Sequence, residues 1–165
     1  MGQPGHTAQS AEPESAGAMS LVFRAGSLLC ALPLDEVAEI MRPLATRPLA
    51  GTPSFVSGMT IMRGVPAPVV DVACLLAGER AAPERYVAVR TERGPVAFAT
   101  GPVLGIRATA ADGPATRHTA LLGGAAGTLV AGVGTLDGEP LLLLQSMRVV
   151  PDDVWVAAAE AAVVQ

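Results

Sequence analysis

Apolar positions in this chain recur in short runs that glycine and proline cut apart. Met19 to Arg24 is a short apolar strand, Ala25-Gly26-Ser27 is a turn, and Leu28 to Leu32 returns until Pro33 ends it. Glycine reaches positive φ at no steric cost, so this reads as a hairpin. Asp35 to Met41 (DEVAEIM) is ambiguous. Val37 and Ile40 fit helical spacing, Val37 and Glu39 share a face in a strand, and so short a run does not decide. Pro43, Pro48 and Pro53 make residues 42–53 an irregular connection, with one helical turn expected over Pro53 to Val56.

Met59 to Arg63 and Val65 to Val72 follow as strands around Gly64. Pro66 and Pro68 have no N–H to give a ladder, which predicts an edge or bulged strand there. Gly78 to Pro83 is a loop, and Arg85 to Thr91 (RYVAVRT) is a strand by its β-branched and aromatic content. Glu92-Arg93-Gly94 turns, Pro95 to Thr100 returns, and residues 108–119 read as a polar loop holding His118. Thr128 to Leu136, Asp137-Gly138 and Pro140 to Leu144 form a hairpin whose Asp-Gly pair suits a type I′ turn. Asp152 can cap a short C-terminal helix, with Asp153 favourable at its positive end. About nine or ten short strands with minor helices, and no long crossover helices, predict an all-β, antiparallel barrel pattern.

Composition narrows the function. The chain has 165 residues and half are apolar, so one domain or two small lobes can bury a core. Residues 1–18 are small and polar and read as a flexible tail, with 19–165 as the folded domain. Net charge is −4, lysine is absent, and no basic face offers a footprint for nucleic acid. No apolar run is long enough to span a bilayer and the N-terminus lacks a leader pattern, so a reduced cytoplasmic setting is expected.

Candidate chemistry is sparse. Cys30 and Cys74 lie in apolar runs and read as buried small hydrophobes. They and His6 and His118 are too isolated for a zinc site, and no catalytic residue or cofactor is expected. Gly132-Val133-Gly134 matches part of a dinucleotide loop but sits inside a hairpin, which favours small residues where strands approach closely. Asp35, Glu36 and Glu39 read as a solvated face or a binding rim. What stands out is Arg63-Gly64, a lone arginine and glycine between two apolar strands. Its planar guanidinium can grip a partner's carboxylate or carbonyls, with Ile61, Met62 and Val65 giving apolar contact. Internal pairing of Arg63 with Asp71 or Glu39 is the alternative.

The chain resembles the CheW-like family, the adaptors that couple chemoreceptors to a histidine kinase. The resemblance rests on five pieces in order: Leu21-Val22-Phe23-Arg24-Ala25-Gly26; Cys30-Ala31-Leu32-Pro33-Leu34; Val37-Ala38-Glu39-Ile40; Pro53-Ser54-Phe55-Val56-Ser57-Gly58; and Gly58-Met59-Thr60-Ile61-Met62-Arg63-Gly64 followed by Pro68-Val69-Val70-Asp71-Val72. It departs where Ile61 replaces the usual Asn, where Gly101 stands for an Asp, and where Gln145 ends the usual Leu-Leu-Asp. The resemblance implies two small five-stranded antiparallel β barrels, SH3-like, packed side by side. It implies binding to the regulatory domain of a CheA-type histidine kinase and to the cytoplasmic tips of methyl-accepting chemoreceptors, in signalling arrays. It places Val37, Glu39 and Arg63 at the receptor-facing region, beside Ile61, Met62, Gly64 and Val65. Two alternatives stand: a small β-barrel enzyme or ligand-binding protein using His118, and a divergent paralogue that does not couple.

Overall fold

The computed structural model describes residues 18–112, 124–146 and 149–164. Among these, the strands are β1 (Ala18–Ala25), β2 (Leu28–Pro33), β3 (Val37–Met41), β4 (Val56–Met62), β5 (Val65–Asp71), β6 (Arg85–Thr91), β7 (Gly94–Thr100), β8 (Val103–Thr109), β9 (Val130–Leu136) and β10 (Glu139–Leu144). A 3-10 turn spans Leu34–Glu36, and the helices are α1 (Val72–Ala77), α2 (Gly124–Leu129) and α3 (Asp152–Val164).

The strands form two five-stranded sheets, ordered β8-β1-β2-β10-β9 and β3-β6-β7-β5-β4. The chain starts in the first sheet, crosses after β2, builds the whole second sheet, and returns at β8. Each sheet carries one parallel pair, β2 with β10 and β5 with β7, so the wholly antiparallel expectation is corrected. Neither sheet closes through a continuous ladder. In the first, a single bridge joins Ala111 to Gly134, and Asp112 N donates to Val133 O at 2.8 Å. In the second, Arg47 meets Met59 through two backbone bonds of 2.8 and 2.7 Å. Both closures need glycine. A Cβ on Gly134 would lie 2.4 Å from Ala110 O, and one on Gly58, at φ +148, would lie 2.1 Å from Arg47 O. Gly134 thus serves the close approach expected of it, and the barrels are two curled sheets, each pinned shut at one point.

One core lies between the sheets. Leu21, Phe23, Cys30 and Leu32 of the first meet Val70, Val87, Val89 and Phe98 of the second, with Val72 of α1 and Val154 of α3 sealing the ends. Each sheet also buries its other, concave face: Val22, Leu29, Ala31 and Leu141 in the first, Met62, Val69, Tyr86 and Ala97 in the second. Strands buried on both faces read as continuous apolar runs rather than alternating ones. Cys30 and Cys74 are both buried and free. Desolvation pushes the Cys30 thiol up to about 12, so it stays a neutral hydrophobe.

Several local expectations change. DEVAEIM is both of its alternatives in succession, a 3-10 turn through Glu36 and a strand from Val37. β5 lies inside its sheet, not at an edge. Its two prolines are tolerated because pairing with β7 starts only at Val69, beyond them both. Residues 72–77 form α1: the Asp71 side chain accepts from Cys74 N at 3.0 Å, and Gly78 ends the helix in the left-handed region at φ +75. Thr109, read as loop, ends β8, and Thr128, read as strand, belongs to α2. The Asp137-Gly138 turn has positive φ at both residues, as type I′ requires.

Two outcomes follow. Gly58→Ala will destabilise the protein by roughly 2 kcal/mol or more, read from urea unfolding, because the added Cβ meets backbone that cannot swing away. Asp71→Ala will cost about 1 kcal/mol through loss of the α1 cap.

Candidate functional site

The β4–β5 hairpin turns through Arg63 and Gly64, at φ +50 and +81. Positive φ at both positions is the type I′ geometry that matches strand twist, so the two strands stay paired up to Met62–Val65. The left-handed region is unfavourable for a residue with a Cβ. At Arg63 it coincides with a fixed side chain: Nε donates to Glu39 Oε1 at 2.9 Å and Nη2 to Glu39 Oε2 at 2.6 Å. This bidentate pair ties the hairpin tip to β3. Asp71, the other partner considered for Arg63, is occupied in capping α1.

Pairing shifts both groups. The hydrogen bond from Arg63 holds the Glu39 carboxyl below the usual glutamate value, and Glu39 raises the guanidinium in return. Yet the Arg63 side chain is 78% exposed and Glu39 36%. The pair is therefore a surface feature of fixed geometry rather than a core support.

The remaining expected residues divide around it. Ile61 and Val65 are exposed at 40% and 45%, an apolar margin beside the ion pair. Gly64 is exposed and supplies the turn. Val37 is half-buried against the shared core, and its carbonyl accepts from Arg90 Nη1 at 3.2 Å. Met62 faces inward, 6% exposed, and supports the tip from beneath instead of adding to its face.

Glu36 differs from the solvated reading. Its Oε1 accepts from the Ser146 N–H at 2.8 Å and from the Ser146 hydroxyl at 2.7 Å. Ser146 is fully buried just after β10, so this carboxylate joins the crossover to the first sheet. Gln145, where an Asp is usual, donates from Nε2 to Thr128 O at 3.0 Å and from its backbone to Leu129 O at 2.8 Å, tying β10 to α2. His118 and His6 lie outside the described residues. Among the described residues no three His, Cys, Asp or Glu side chains converge as a metal would need. What the hairpin tip offers is a planar cation beside apolar surface, a recognition chemistry.

Comparison with known proteins agrees with this architecture. The family model of the CheW-like domain matches residues 20–153. Protein FrzA of Myxococcus xanthus is 42% identical over 50 residues, which make up 30% of this chain and 31% of FrzA, so the match spans under a third of that relative. The crystal structure of the scaffolding protein TtCheW from Thermoanaerobacter tengcongensis superposes with a TM-score of 0.66 at 17% identity, over 81% of this chain and 92% of that one, a likeness of fold. The order of the two interlocked sheets, the Arg-Gly hairpin and the match over most of the chain together place this protein in the CheW-like domain family.

Proposed function

We propose that this protein is a chemosensory adaptor that acts by protein–protein binding and carries no catalytic activity of its own. It holds the regulatory domain of a CheA-type histidine kinase on one face and the cytoplasmic tip of a chemoreceptor on another. The observation that carries this reading is the Arg63–Glu39 pair on the β4–β5 tip. It is exposed, fixed in direction, and bordered by Ile61 and Val65. A pre-oriented guanidinium beside apolar surface loses little side-chain entropy on binding. Glu39, Ile61, Arg63 and Val65 form the contact face, Gly64 and Met62 shape it, and Val37 anchors its β3 side. Work inside the cell at receptor arrays follows from this role; no described helix is long and apolar enough to cross a membrane.

The first test is calorimetric titration of the protein with a kinase regulatory domain and, separately, with a receptor tip fragment. Arg63→Glu should weaken receptor binding roughly tenfold or more and leave kinase binding near wild type, since charge reversal at a central anchor is costly. The swap Arg63→Glu with Glu39→Arg should restore the internal pair without restoring receptor affinity. Kinase binding without receptor binding would mark a non-coupling paralogue, and binding to neither would overturn the proposal.

The pair also sets a pH dependence. Glu39 is depressed in the folded protein, so its favourable interaction is fully present above the ordinary glutamate value of 4.5 and is lost as pH falls through the lowered folded value. Receptor affinity should be flat through the neutral range and fall only in acid, and Glu39→Gln should abolish that acid step.

A further inference from the structure

A groove lies beside the hairpin tip, on the closure of the second sheet. The chain leaving β3 folds back along β4, and between residues 44–47 and β4 runs a groove of about 450 Å³. Leu44, Ala45, Met59 and Ile61 give it apolar walls, and Arg47 lines it as well. Leu44 and Ile61 are 37% and 40% exposed.

The groove is rigidly built. Arg47 and Met59 exchange two backbone hydrogen bonds, Thr60 Oγ1 donates to Ala45 O at 2.7 Å, and Thr46 Oγ1 lies 2.6 Å from the Tyr86 hydroxyl. Its irregular wall is therefore held at three successive residues, and a ligand would meet it already formed.

Its charge is unbalanced. Among the described residues, Arg24, Arg63, Arg93 and Arg107 pair with carboxylates, and Arg80, Arg85 and Arg90 donate to backbone carbonyls. Among described arginines, only the side chains of Arg42 and Arg47 have neither kind of partner; both are exposed, Arg47 lining the groove and Arg42 lying two residues before Leu44. No carboxylate lines the groove. An unpaired guanidinium lining the groove, with a second two residues before Leu44 on the same segment, complements one chemistry: apolar side chains bordered by carboxylates.

We infer that this groove docks an acidic, apolar-anchored segment of a partner protein. The segment seats an apolar side chain between Leu44 and Ile61 and sets its carboxylates against Arg42 and Arg47. Ile61 is shared with the hairpin-tip surface proposed above, but the inference stands without that reading, because its grounds are the groove and the two unpaired arginines.

The test uses the full chain, labelled with ¹⁵N, and a synthetic amphipathic peptide of leucine and glutamate, with a leucine–lysine peptide as control. The acidic peptide should shift amide resonances at 44–47 and 59–61, and the lysine peptide should not. Arg42→Ala with Arg47→Ala should weaken the acidic peptide about tenfold, and high salt should do the same to wild type, as screened rim charges predict. Leu44→Ser should weaken it without altering the salt dependence. All three positions are exposed, so unchanged thermal melts are expected. Absent shifts, equal shifts from both peptides, or indifference to the double substitution would overturn the inference. So would the same shifts on raising protein concentration alone, which would put a second copy of the chain there. The peptide titration involves no receptor fragment and no change at Arg63, so failure here and failure of the adaptor reading stay distinguishable.

Discussion

The shared core is the constraint on which the rest depends. The first sheet is made from both ends of the described chain, β1–β2 and β8–β10, and the second is inserted between them. Neither sheet can bury its convex face alone, because Leu21, Phe23 and Leu32 need Val70, Val87 and Phe98 opposite. Splitting the sheets would return the largest buried side chains to water, at about 25 cal/mol per Å² of apolar surface. The two lobes are thus held as one body. Glu36 adds direction to this, since its carboxylate takes both hydrogen-bond donors of a buried serine across the crossover. An apolar core is tolerant of sliding, whereas two hydrogen bonds to one carboxylate oxygen are not.

From that rigidity follows the character of the surface. Each sheet is pinned shut at a point where glycine lets backbone meet backbone, and the features fit for recognition sit next to such a pin. The Gly58 contact fixes residues 47–48 against β4; the Arg63–Glu39 pair then spans from the tip of β4 to β3. Backbone geometry places the cations, and apolar residues border them. In energetic terms the ion pair adds little to folding. Its value lies in holding a guanidinium still.

Much of this was legible in the sequence, for identifiable reasons. β6 is bounded by Arg85 and Thr91 as its β-branched run implies, and both hairpin turns with Gly26 and with Asp137-Gly138 lie where glycine requires them. α1 has its signals in the sequence, with Asp71 as cap and Gly78 at its end, but VACLLA is as apolar as a strand end and hides them. The prolines of β5 do not mark an edge, because a proline is excluded only where a neighbour needs its N–H, and the register that frees Pro66 and Pro68 is tertiary. The hairpin tip was readable from Arg63-Gly64, and of its two possible internal partners only the structure selects Glu39. Glu36 looked like one acid among three, since Ser146 lies far away in the sequence. The groove lined by Leu44 and Arg47 leaves no pattern at all, because a proline-rich connection acquires a face only when it folds onto β4.

In the proposed role, one rigid body holds two partners at once. The most direct measurement is light scattering of the purified chain mixed with a kinase regulatory domain and a receptor tip fragment together. A ternary complex whose mass is the sum of the three is expected, with the receptor fragment binding as tightly to the kinase-loaded protein as to the free one. Displacement of the kinase domain by the receptor fragment, with only binary masses at every ratio, would contradict it.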